Sequence, residues 1–136
     1  MKESRQHHAL VEKGAGYIKS QHLEIVDIQI DEYSDLGESK VLYYLQYEPD
    51  IVGQGAECVI IGEAKTENDV LSGHSKRQYE CYLQYSDLYG RPVYFYLFVP
   101  WKVKASANNY LKNLCKKKSI SDVRWAVISE VELVDF

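Results

Sequence analysis

A chain of 136 residues, 46% apolar and 26% charged, carries enough apolar side chain to close one core, which excludes wholesale disorder and leads us to expect a single domain over residues 1–136. No apolar run approaches the ~20 residues a membrane-crossing helix needs, and the polar start MKESRQHHALVEKG lacks a secretory core segment, so a soluble, cytoplasmic protein with no membrane association is expected. The net charge of −4 hides a division: residues 21–70 carry twelve acids and two bases, whereas residues 101–118 carry six lysines and no acid, a pattern that suits an acidic, cation-holding centre beside a polyanion-binding flank, or two solvated faces.

The first element is a helix over 7–20, where Leu10, Val11, Gly14, Tyr17 and Ile18 recur at helical spacing; its glycines allow a helix to lie close to a sheet. Residues 23–30 alternate as a half-buried strand, 31–39 compose a loop, and VLYYLQY at 41–47 suits a second strand. Gly53-Gln54-Gly55 reads as a hairpin turn leading into a buried strand at Val59-Ile60-Ile61. After a loop over Asn68–Gly73, a helical pattern runs from His74 to Tyr89, with Tyr82, Tyr85 and Tyr89 on one face, and Gly90-Arg91-Pro92 stops it. A strand over 93–99, a helix over 106–117 with Leu111 and Leu114 inward, and a last strand WAVIS at 125–129 complete the order α-β-β-β-α-β-α-β. VELV at 131–134 extends or pairs with that strand. The order describes an α/β fold with helices flanking a central mixed sheet.

The chemistry lies in Pro49-Asp50, followed after twelve residues by Glu63-Ala64-Lys65. Residues two apart on a strand share a face, so Glu63 and Lys65 point one way at the end of a buried strand, and a hairpin between 50 and 63 brings Asp50 alongside. Two carboxylates and a lysine at a sheet edge suit metal-assisted phosphodiester hydrolysis. Mg2+ takes hard oxygen ligands and keeps several waters, so Asp50, Glu63 and the Ala64 carbonyl suffice as ligands. The ion polarises phosphate and acidifies bound water, and the lysine positions that water or offsets negative charge.

On these residues the chain resembles the PD-(D/E)XK nuclease superfamily, the fold of many restriction endonucleases and Holliday-junction resolvases, whose αβββαβ core matches the element order above. Gln78-Tyr79-Glu80-Cys81-Tyr82, thirteen residues after Lys65, is similar to the QxxxY motif of RecB-like members, although those more often carry aspartate where Glu63 stands here. The resemblance implies a Mg2+- or Mn2+-dependent deoxyribonuclease, an endonuclease acting on DNA. It makes Asp50, Glu63 and Ala64 metal ligands, Lys65 the catalytic lysine, and Gln78 and Tyr82 residues that orient the site. Glu12, the one acid of the first helix, becomes an outer or additional ligand. Lys76 and Arg77 at the start of the second helix, and the Lys116-Lys117-Lys118 run, are the candidate DNA-backbone contacts. A lone domain of this size is expected to act as a homodimer or within a larger complex.

Each residue also has a plainer use: Pro-Asp as a turn, Glu63 and Lys65 as a cross-strand surface pair, Gln78 and Tyr82 as helix surface and core, Glu12 as a solvated side chain. A catalytically silent nuclease-fold module that binds DNA or a protein, and a structural subunit with a solvated acidic centre, are the competing readings. Other chemistries lack their motifs: no dinucleotide fingerprint, P-loop, HExxH or GxSxG is present. Cys58, Cys81 and Cys115 form neither a disulfide framework nor a CxxC knuckle, and the histidines do not join them at zinc spacing.

Overall fold

The apolar stripe of the N-terminal segment winds into α1 (Arg5–Gln21), burying Leu10, Val11, Gly14, Ala15 and Ile18. A computed structural model of the chain describes residues 5–30, 47–85, 87–88, 91–121 and 124–136. The strand expected at 41–47 and the loop before it lie outside these residues, except for Tyr47, which is part of a bend.

After α1 come β1 (Ile25–Ile30), β2 (Ile51–Gly55) and β3 (Val59–Ala64), then α2 (Gly73–Gln84), β4 (Asp87–Leu88), β5 (Arg91–Val99), α3 (Trp101–Lys117), β6 (Arg124–Ser129) and a 3-10 turn (Glu130–Leu133). The strands β1, β2 and β3 pair antiparallel in sequence order. β5 joins β3 in parallel and β6 joins β5 in parallel, so the sheet is mixed; the two-residue β4 pairs antiparallel with Arg91 and Pro92 at the start of β5. Among the described residues no helix is long and apolar enough to cross a membrane.

Alternation along the buried strands splits the core into two layers. Ile60 and Ala64 of β3 and Phe98 of β5 face α1, packing on Val11, Ala15 and Ile18. Val59 and Ile61, with Phe95 and Leu97 of β5, pack against Tyr79 and Tyr82 of α2 and Leu111 of α3. Helices thus cover both faces of the sheet. Gly14 sets the approach of α1: a Cβ there would stand 2.6 Å from the Phe98 ring, so only a residue without a side chain lets the helix lie this close.

Several boundaries differ from expectation. Gly53-Gln54-Gly55 is strand, not turn, and the chain reverses instead at Ala56-Glu57, where the Gly55 N–H donates to the Cys58 carbonyl at 2.9 Å. Strand pairing outranked the local glycine preference because Gly53 packs beneath Ile25 and Ile60, where an added Cβ would meet Ile25 at 3.2 Å. The second helix ends at Gln84 with Tyr85 as its C-cap; its tyrosine periodicity gives way to the pairing of β4 with β5. The third helix starts five residues early, directly after Pro100, as proline's fixed φ and missing N–H permit at a helix start. VELV coils into the 3-10 turn rather than extending β6, closed by a capping box between Ser129 and Glu132.

Candidate active site at the sheet rim

The turn at Ala56-Glu57 determines which residues meet. With Ile51 opposite Gly62 and Val52 opposite Ile61, the next antiparallel pair beyond the end of β2 is Asp50 opposite Glu63. The contacts agree: the Asp50 N–H donates to Glu63 Oε1 at 2.9 Å, and the Ala64 N–H donates to Asp50 Oδ2 at 2.9 Å. A turn at Gly53–Gly55 would have set Asp50 opposite Cys58 and left Glu63 beyond the hairpin.

Glu63 continues the Val59-Ile61 face and therefore points toward α2, as does Lys65. Both are buried, with 2% and 6% of their surface exposed, and Lys65 Nζ lies 3.5 Å from Glu63 Oε2. The Lys65 N–H donates to the Phe98 carbonyl at 3.0 Å, extending the parallel pairing one residue past β3. Backbone alternation then leaves the Ala64 N–H and carbonyl on the β2 side, beside Asp50.

From α2, Gln78 Oε1 accepts a hydrogen bond from Lys65 Nζ. The helix is held for this by its Ser72 N-cap, whose hydroxyl accepts from Ser75 N–H at 3.1 Å. Tyr82, one turn after Gln78, is fully buried, and its hydroxyl has no hydrogen-bond partner among the described residues. Burial raises its pKa, and the nearby charges of Glu63 and Asp50 raise it further.

Burial pushes the Glu63 carboxyl well above the usual carboxylate range, and the Asp50 charge adds to that, against the opposing pull of Lys65 and the Asp50 N–H. Two carboxylates and a backbone carbonyl at one rim form an all-oxygen donor set of the kind a hard divalent cation takes. Their mutual repulsion is what such a cation relieves.

The structure thus brings Asp50, Glu63, Ala64, Lys65 and Gln78 together, with Tyr82 behind them. Glu12 stands elsewhere. It is exposed, 3.5 Å from His8, and helical phase turns it about 140° away from His7. His7 is the α1 residue that reaches the rim, its Nε2 3.1 Å from Asp50 Oδ2 and its side chain 14% exposed. It extends the buried Val11-Gly14-Ile18 stripe by one turn, a signal visible in the sequence. Asp69 was also missed: the loop after β3 carries its Oδ2 to 3.7 Å from Lys65 Nζ.

Lys76 and Arg77 are exposed on the first turns of α2. Lys76 Nζ sits 5.2 Å above the Tyr110 ring, and Arg77 lines a cavity of about 250 Å³ with Tyr47 and Tyr85. Lys116 and Lys117 are exposed in the last turn of α3. Lys118 is held by Glu80 of α2 at 2.9 Å.

Comparison of the chain with protein-family models, with curated proteins and with solved structures gives no match.

Proposed function

We propose that this chain is a PD-(D/E)XK-type nuclease that hydrolyses DNA phosphodiester bonds, as an endonuclease, with Mg2+ or Mn2+. The observation that carries the proposal is the meeting of Asp50, Glu63 and Lys65 at one sheet rim, with Gln78 of α2 bonded to the lysine. A β1-β2-β3 meander followed by parallel β5 and β6, with α1 on one face and α2 and α3 on the other, supports the restriction-endonuclease-like reading of the fold.

Asp50, Glu63 and the Ala64 carbonyl would hold the ion, which when bound polarises the scissile phosphate and acidifies a coordinated water. The chain's own contribution is positional and electrostatic. Lys65 Nζ donates a hydrogen bond to the attacking water and offsets negative charge growing on the phosphate. Gln78 aims that ammonium by accepting a hydrogen bond from it, and buried Glu63 fixes it from the other side. His7 and the Ala64 N–H hold the Asp50 carboxylate in place. The exposed Lys76, Arg77, Lys116 and Lys117 would contact the DNA backbone, which gives register without sequence preference, and a second copy or a larger complex would supply the remaining grip. Such a protein works in the cytoplasm.

Closed circular single- and double-stranded DNA incubated with Mg2+, Mn2+ or chelator tests the proposal. Nicking that requires the metal is expected. Binding without cleavage on every DNA form would instead assign a silent module.

A further inference from the structure

At the opposite end of β3 a second group of side chains converges. Cys58 immediately precedes that strand, and His22 and Glu24 lie in the turn between α1 and β1, where the Ile25 N–H donates to the His22 carbonyl at 3.2 Å. A ring nitrogen of His22, a Glu24 carboxylate oxygen and the Cys58 Sγ all lie within 4.8 Å of one another. His22 and Cys58 are 7% and 4% exposed, while Glu24 is exposed and leaves the group open on one side.

We propose that His22, Glu24 and Cys58 form a binding site for Zn2+ or a similar borderline-soft divalent ion, with a fourth position open to water. Three features carry it. First, two of the three donor spacings fit the edges of a tetrahedron, and the third, nitrogen to sulfur, is within 4.8 Å. Zinc bonds of ~2.0–2.3 Å give ligand-to-ligand edges of ~3.3–3.8 Å, and Nδ1 to Oε1 is 3.3 Å and Sγ to Oε1 is 3.4 Å. Second, the ring is already aimed: the Tyr96 hydroxyl holds His22 Nε2 at 2.8 Å, the outer partner that a metal-bound histidine uses to fix its orientation. Third, the backbone leaves room. A Cβ at Gly55 would stand 3.4 Å from Cys58 Sγ and 3.2 Å from the Glu24 carbonyl, so the bare glycine in β2 admits both groups.

Chain spacing hid the site, because His22 and Cys58 are 36 positions apart and meet only through the β1–β2–β3 pairing. The mix of nitrogen, sulfur and oxygen distinguishes it from the all-oxygen rim, and selects zinc over magnesium. Cys58 stands five residues from Glu63 along β3, about 16 Å at ~3.3 Å per residue, so the two sites share no ligand. The Cys58 thiol is pushed up to about 11 by burial and by its hydrogen bond and charge contact with Glu24, with Arg91 opposing and Glu57 adding. As the zinc–sulfur bond forms, the thiol proton leaves to solvent.

Cobalt(II) titration of the full chain, without other metals, tests the site. A thiolate-to-cobalt charge-transfer band saturating at about one ion per chain is expected, displaced by Zn2+, and an oxygen-only rim cannot produce it. Cys58→Ser should abolish the band, whereas Asp50→Asn should leave it intact. Glu24→Gln, an exposed change that spares the fold, should weaken Co2+ at least about tenfold and serves if Cys58→Ser misfolds. Absence of the band, its persistence in Cys58→Ser, or unchanged affinity in Glu24→Gln would overturn the proposal.

Discussion

Asp50 and Glu63, 13 residues apart, are bound to each other across the β2–β3 hairpin by the Asp50 N–H on Glu63 Oε1 at 2.9 Å. Their charges are therefore forced together by backbone register rather than by side-chain choice. Lys65, 3.5 Å from Glu63 Oε2, offsets part of that charge, and on the proposed reading a divalent ion offsets the rest. Isothermal titration should show saturable Mn2+ uptake by the unmodified chain that Asp50→Asn removes. Asparagine keeps an oxygen for the Ala64 N–H, so the melting temperature should hold while uptake disappears; equal uptake by both proteins would point to a diffuse acidic surface.

The raised Glu63 pKa makes the metal-free stability depend on pH. Burial and Asp50 favour its protonated form in the folded chain, so the native state binds a proton that the unfolded state releases near the ordinary value of 4.5. This contribution is fully present below that value and is lost as pH rises through the elevated folded pKa. Melting temperature in chelator should fall from mildly acidic to neutral pH for this reason. Glu63→Gln should flatten that slope and raise stability at neutral pH by about 1 kcal/mol, while abolishing cleavage, the trade expected of a strained active site.

Lys65→Ala should reduce metal-dependent cleavage by about 10²–10³-fold, the scale of a group that stabilises charge only in the transition state. DNA binding, read by anisotropy in Ca2+, should stay within a few-fold. Parallel loss of binding would make Lys65 an anchor for substrate instead. Gln78→Leu should act in the same direction more weakly, since it frees the ammonium without removing it.

Tyr82 offers a separate test. Its buried hydroxyl has no partner among the described residues, so Tyr82→Phe should leave the metal-free protein as stable or slightly more so, by up to about 1 kcal/mol. If that hydroxyl serves bound water or phosphate, the variant should lose about tenfold in cleavage rate. A rate equal to that of the unmodified protein would reduce Tyr82 to core packing.

Much of this arrangement is legible in the sequence. Val59-Ile60-Ile61 as a buried strand, Glu63 and Lys65 on one of its faces, and Gln78 one helical turn from Tyr82 all follow from periodicity, which burial enforces. Glycine misled where its role was tertiary: Gly53 and Gly55 look like a turn, but they are small because Ile25, Glu24 and Cys58 press on β2. Acid chemistry drew attention to Glu12, although the buried stripe of α1 runs through His7, and phase decides what faces the sheet. Tyr85 and Tyr89 continued a helical rhythm that a two-residue pairing with Arg91 and Pro92 interrupts. Pairing partners distant in sequence leave no local trace.

The two exposed residues Ala56 and Glu57 act as a gauge for the molecule. β2 and β3 are buried on both sides, so deleting or inserting one residue there forces a choice. Either a bulge absorbs the error, or one strand turns its inward and outward residues over. In the second case Asp50 and Glu63 part company and Cys58 swings from Glu24, so an alteration of the least distinctive stretch would disarm both ends of the strand at once.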